Sequence, residues 1–166
     1  GDHGLREKLG YWEQSYATPC IVRDPARDGG IVVERFTENV DVMPTLAELI
    51  GEPVPAQCDG LPLTPFLDGA DPPQWRTAAH WEYDWRGYLV GVVGHEWPWN
   101  RELEAQHLAA LRTADHQYVQ FGDGSWLCFD MAAGGPGRTT VDDPAVVLPL
   151  AQEMLTWRST HAERTL

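Results

Sequence analysis

Between Ala79 and Trp85 polar and apolar positions alternate without a break, with His80, Glu82 and Asp84 on one side and Trp81, Tyr83 and Trp85 on the other. A period of two marks a half-buried strand, because successive side chains of an extended chain point to opposite faces. Leu108 to Arg112, Gln117 to Phe121 and Trp126 to Asp130 are strand-like as well, and Asp115-His116 and Gly122-Asp123-Gly124 between them are turn residues. The pattern predicts an antiparallel meander. Gly134 to Gly137 reads as loop, and Asp143-Pro144 then opens a last helix, since proline is well placed where the first helical N–H has no partner. Its apolar positions Val147, Leu150, Ala151, Met154 and Leu155 form one stripe, suited to covering the sheet.

The first half has another rhythm. Pro19-Cys20-Ile21-Val22, closed by Arg23-Asp24-Pro25, predicts a short buried strand that needs neighbours, followed by a loop at Asp28-Gly29-Gly30. Asp41 is placed to cap a helix running to about Ile50, with Pro44 in its first turn, Gly51 at the residue past its end, and an apolar face of Val42, Leu46, Leu49 and Ile50. Pro53 and Pro55 enforce a loop, and Leu61 to Leu67 predicts one more helical turn ending at Asp68-Gly69. Asp71-Pro72-Pro73 marks a seam, with an α+β arrangement after it.

At 166 residues, 43% hydrophobic and 22% charged, the chain can close a core without disulfides, as one domain or two small lobes. A formal charge of −13, with 25 acidic against 12 basic residues, argues against nucleic acid as a partner. The longest apolar runs are too short to cross a bilayer, and residues 1–10 carry no signal-peptide core, so a soluble protein with no membrane partner is expected. Cys20, Cys58 and Cys128 are odd in number and far apart; they suit a reducing cytoplasm and read as packing residues.

Four colinear segments carry a resemblance. GDHGLREKLGYWEQSYATPCIVRDP covers Gly1 to Pro25, and FTENVDVMPTLAELIGEPVPAQCDGLPLTPFLDG covers Phe36 to Gly69. WRTAAHWEYDWRG and the helix led by DDPA and ending in WRSTHAERTL follow. In order and spacing these resemble the C-terminal portion of sulfatases and, more closely, of phosphonate monoester hydrolases of the alkaline phosphatase superfamily. The resemblance implies an α+β piece of a larger α/β fold: residues 1–70 as the last segment of the catalytic domain, and 71–166 as a small antiparallel sheet covered by a C-terminal helix. It also implies an ester hydrolase whose nucleophile comes from a Cys-x-Pro-x-Arg string, or its Ser/Thr version, which does not occur here. The missing N-terminal catalytic portion is therefore the expected partner, with a divalent metal ion (Ca, Mn, Mg or Zn) held in the full-length enzyme and none in this piece, which alone should be inactive. One departure is the stretch Ala132 to Val141, where the family has an acidic-Pro-x-Glu run leading to Asn-Leu.

Lys8 aligns with a family lysine directed at the sulfuryl or phosphoryl oxygens. It is also the only lysine among the twelve basic residues. A compact ammonium with three donors suits a crowded tetrahedral oxyanion better than a planar guanidinium does. Asp2 and His3 offer oxygen and imidazole to a cation. Their spacing of six and five before Lys8 matches the second of the family's two Asp-His pairs rather than the ligand pair, which leaves His3 as a loop residue beside the substrate and metal contact as the alternative. His95, in the aromatic loop Gly94 to Trp99, could line the substrate entrance or a subunit contact. His80, Glu82 and Asp84 could form an acid-base or ligand cluster, although a solvent face opposite Trp81, Tyr83 and Trp85 is favoured. His107, His116 and His161 have no partner at ligand spacing. Against the hydrolase of a small-molecule ester stands a non-catalytic truncated module acting in interaction or assembly. Either way the Cys20 to Arg23 strand should present an unpaired edge that favours homo-oligomers.

Overall fold

The computed structural model of the chain describes residues 10–85, 107–132 and 139–161, which divide between two compact units. The first unit joins the described residues up to Pro19 to His80–Trp157, and the second consists of Cys20–Ala79 with the described residues from Arg158 onward.

The first unit is built on a five-stranded sheet in sequential order: β1 (Ala78–Asp84), β2 (His107–Thr113), β3 (His116–Phe121), β4 (Trp126–Asp130) and β5 (Thr139–Thr140). Antiparallel registers place Ala110 opposite Val119, Tyr118 opposite Cys128 and Phe129 opposite Thr140. The meander expected from the pattern is present, and the hairpin between β2 and β3 turns at Ala114-Asp115, one residue earlier than the sequence suggested. On one face Leu108, Ala110, Val119 and Phe129 form a core cluster against which Trp81, Tyr83, Phe121 and Leu127 pack. Ala109, Leu111, Tyr118 and Cys128 alternate with these along the strands and are buried too, so both faces are covered.

The last helix, Pro144–Thr160, buries Val147, Leu150 and Met154 at a spacing of three and four, with Ala151 and Trp157 half-buried on the same stripe. Leu155, expected on that stripe, points outward instead and is 66% exposed, because position 155 lies about 100° around the helix from Met154. A short helix α1 (Glu13–Tyr16) precedes the sheet in the chain. We label the later helices α2 (Val42–Leu49), α3 (Thr64–Leu67) and α4 (Pro144–Thr160).

In the second unit a single 3₁₀ turn, Asn39–Asp41, leads into α2. The end of α2 is a Schellman motif: the Glu52 N–H reaches the Ala47 carbonyl at 2.9 Å, the Gly51 N–H reaches the Glu48 carbonyl at 3.1 Å, and Gly51 has φ +78°, where a side chain would be strained. Its start corrects the sequence reading. Asp41 makes no capping bond to α2; its fully buried carboxylate accepts instead from the Glu38 N–H (2.8 Å), the Leu61 N–H (2.8 Å) and the two terminal guanidinium nitrogens of Arg76, one at 2.7 Å. One carboxylate thus fastens three separate stretches of chain. Gly60 lies so close to this joint that a Cβ there would stand 2.1 Å from the Val40 carbonyl oxygen, which is why no side chain fits. Thr45 extends the joint, donating to the Asp41 carbonyl (2.6 Å) and accepting from the Leu63 N–H (2.8 Å).

Two further expectations fail in this unit. The buried side of α2 is Pro44, Thr45 and Ala47, whereas of Val42, Leu46, Leu49 and Ile50, read as the inward stripe, only Leu49 is half-buried and the others are 43%, 51% and 74% exposed. Pro19 to Val22 forms no strand with any described residue, and Cys20, Ile21 and Val22 are exposed rather than packed. Apolar composition signals that a segment seeks burial but does not say that the burying surface lies in the same stretch of chain.

Candidate functional site

The chain just after Lys8 is tied to the sheet by aromatic side chains. Tyr11 stacks on Phe129 (5.7 Å between ring centroids, 20° between planes) and meets Phe121 edge-on at 6.1 Å. The Tyr11 carbonyl accepts a hydrogen bond from the Gln117 side-chain amide, whose residue is wholly buried in β3. A buried amide left without that acceptor would cost about 1–3 kcal/mol, so the contact holds Tyr11 to the sheet. Tyr16, at the end of α1, stacks on Trp81 of β1 at 5.1 Å and 25°, with Tyr83 edge-on at 6.5 Å.

That second contact has an unusual electrostatic character. The Tyr16 hydroxyl and the Trp81 indole N–H are both buried and have no hydrogen-bond partner among the described residues. Burial, with a smaller contribution from the neighbouring Tyr83, pushes the Tyr16 phenol up to about 12. Tyr16 is therefore a neutral donor at ordinary pH and no candidate for a general base.

The opposite side of β1 carries the polar triplet. Glu82 and Asp84 are exposed, whereas His80 is half-buried with its ring stacked flat on Trp157 of α4 (4.8 Å, 5°). The solvent-face reading holds for the two carboxylates, and the imidazole is a packing partner of α4 rather than the third member of an open cluster. His107 and His116 are half-buried at strand starts, and His161 is exposed beyond α4. The cysteines differ: Cys20 is exposed and Cys58 half-buried, while Cys128 is buried and desolvation pushes its thiol up.

Asp2, His3, Lys8 and His95 lie outside the described residues. Among the described residues no group of three or more His, Cys, Asp or Glu side chains is arranged to hold a metal ion, so the described donor set does not fit one. No helix among them is long and apolar enough to cross a membrane. The Arg76–Asp41 pair, whose carboxylate is fully buried and whose guanidinium is mostly so, escaped the sequence reading; a lone Asp before a helix reads as a cap, and nothing local points to an arginine 35 positions later.

Comparison with known proteins gives these features a context. Residues 1–133 match the family model described as N-sulphoglucosamine sulphohydrolase, C-terminal. The multifunctional alkaline phosphatase superfamily protein PehA of Trinickia caryophylli is 37% identical over 175 residues, which cover 100% of this chain and 33% of that protein. The N-acetylglucosamine-6-O-sulfatase of Bacteroides thetaiotaomicron is 29% identical over 138 residues, covering 80% of the chain and 22% of the enzyme. Among solved structures, the phosphonate monoester hydrolase SpPMH from Silicibacter pomeroyi superposes with a TM-score of 0.78 at 30% identity, over 96% of this chain and 32% of that one. The chain spans about a third of the length of PehA and of SpPMH.

Proposed function

We infer, for a chain that belongs to the N-sulphoglucosamine sulphohydrolase C-terminal family of sulfatases, in the alkaline phosphatase superfamily, that it is the C-terminal portion of a metal-dependent hydrolase. The substrates are small sulfate, phosphate-diester or phosphonate monoesters. Its chemical contribution is Lys8, whose ammonium stabilises the charge that gathers on the non-bridging oxygens as the ester is cleaved. His3 and His95 border the same substrate, and the nucleophile and the ligands of the divalent cation (Ca, Mn, Mg or Zn) come from the N-terminal portion of the polypeptide. When bound, the cation would supply Lewis-acid activation. In this reading residues 1–70 complete the catalytic domain and 71–166 form a smaller subdomain.

The observation that carries the reading is the match to PehA along the whole chain, including the stretch from Gly1 to Gly10 that holds Lys8. The chemical reason for assigning the role to Lys8 is that a compact ammonium with three donors suits the charge developing on a tetrahedral oxyanion.

The test is Lys8→Ala in the polypeptide that carries the N-terminal portion, assayed on aryl sulfate, phosphodiester and phosphonate monoester substrates with added divalent metal. A loss of about 10²–10³ in kcat with an unchanged melting temperature is expected, the range for removing one oxyanion donor. An unchanged rate on every substrate would retire Lys8 from the chemistry.

A further inference from the structure

Four aspartates in the chain, Asp28, Asp59, Asp68 and Asp123, are each followed by glycine. In such a pair the glycine nitrogen can attack the aspartate Cγ, because the following residue has no β-carbon to obstruct it. The new N–Cγ bond closes a succinimide ring, and the carboxyl hydroxyl leaves with the amide proton as water. When water then adds to the main-chain carbonyl of the ring, the bond from that carbon to nitrogen breaks. The chain now runs through the former side-chain carbonyl as isoaspartate, with the α-carboxylate free. One water leaves and one returns, so no other reagent is required.

Closure needs the aspartate side chain and the peptide after it to rotate toward one another, and three of the four pairs are held against that rotation. The Asp123 carboxylate accepts from the hydroxyl and the N–H of Ser125 (2.6 and 2.9 Å), bonds that hold its carboxyl below the usual range and keep it an unreactive anion, while the Gly124 N–H is bonded to the Phe121 carbonyl at 3.1 Å. Asp68 accepts from Arg27 Nε at 2.6 Å, and the Gly69 N–H donates to the Phe66 carbonyl at 3.0 Å. Behind Asp59, Gly60 is wedged so that a Cβ would stand 2.1 Å from the Val40 carbonyl oxygen, and the next N–H, that of Leu61, is bonded to Asp41. Asp28 differs on every count. The chain is fastened as far as the Arg27 carbonyl, which accepts from Arg23 at 3.1 Å, and is released at the next residue. Asp28 and Gly29 are exposed, neither makes a hydrogen bond or ion pair with any described residue, and a Cβ added to Gly29 would meet nothing within 4 Å.

We propose that Asp28-Gly29 is a site of spontaneous covalent modification, at which the folded protein converts Asp28 to isoaspartate while Asp59, Asp68 and Asp123 persist. The product adds a methylene to the main chain and presents a carboxylate that an isoaspartyl-directed carboxyl methyltransferase can esterify.

The test ages the intact polypeptide in warm neutral buffer, with and without urea, and maps the peptides that carry the four pairs. Succinimide is recognised as a peptide one water lighter, and isoaspartate by the labelled methyl group that an isoaspartyl methyltransferase transfers to it. In the folded protein Asp28 should convert at least tenfold faster than each of the other three, and in urea the four rates should converge. Gly29→Ala should slow conversion at Asp28 at least tenfold in both conditions without lowering the urea midpoint, since the added methyl has room. Similar rates at all four pairs in the folded protein would overturn the proposal. A preference for Asp28 that persisted in urea would place its cause in the flanking residues and overturn the structural argument. Undiminished isoaspartate in Gly29→Ala would exclude the ring as the route. None of these readouts involves ester hydrolysis, so the proposal stands or falls apart from Lys8.

Discussion

Truncating Arg76 to alanine isolates the interaction on which the second unit depends. The guanidinium, 14% exposed, grips both oxygens of an Asp41 carboxylate that is 0% exposed. Its removal eliminates two charge-assisted hydrogen bonds and leaves a buried anion with only the Glu38 and Leu61 N–H groups as donors. Breaking a buried ion pair from one side costs about 3–5 kcal/mol, and two charged hydrogen bonds at about 1.5–3 kcal/mol each give the same range. The lower end applies because those two N–H donors remain. Native-state hydrogen exchange reads the loss locally. The Leu61 amide donates to Asp41 and the Leu63 amide to Thr45, so both report on this joint, while Val119 in β3 serves as control. A loss of about 3 kcal/mol raises exchange at Leu61 and Leu63 by roughly two orders of magnitude, with Val119 unchanged. Arg76→Lys, which keeps the charge but loses the planar fork, should fall between the two. Less than a threefold change at Leu61 in Arg76→Ala would show that the pair does not hold the unit together.

Thiol chemistry and pH give two more checks. Cys20 should react with a thiol reagent at neutral pH in the folded chain, whereas Cys128, buried and with its thiol pushed up, should react only on unfolding; early modification of Cys128 in a peptide map would contradict the burial. The Tyr16 phenol titrates near 12 when folded against 10.0 when free, so the unfolded chain loses this proton first and stability falls as pH rises from about 10 through 12. Tyr16→Phe should flatten that decline and should not lower stability at pH 7, since it removes a buried hydroxyl without a described partner; a clear loss at pH 7 would mean the hydroxyl has an acceptor.

What the sequence disclosed was whatever depends on neighbours in the chain. Strict alternation identified β1, turn residues located the hairpins, and the Gly51 signal marked the end of α2 correctly. The failures share a cause. Asp41 looked like a cap because its true partner, Arg76, is distant in sequence, and the Tyr11–Gln117 contact that seats the N-terminal stretch spans 106 positions. The candidate site was readable only as a string, with Lys8 singled out by resemblance and by being the only lysine; Lys8, Asp2, His3 and His95 all lie outside the described residues.

The misread stripe of α2 is the more instructive failure, because the rule behind it was sound and its premise was not. An amphipathic pattern states that a helix has one face to bury, and assigning that face to the core assumes that the core belongs to the same chain. Here Thr45 and Ala47 face inward because Asp41 is locked onto Leu61 and Arg76, which sets the rotation of α2 before its apolar side chains can choose. One buried carboxylate with four donors fixes the start of α2, since an unpaired charge in the interior costs several kcal/mol. Polar satisfaction therefore orients the helix and leaves its apolar face exposed, and Ile21, Val22 and Val32 are exposed in the same unit.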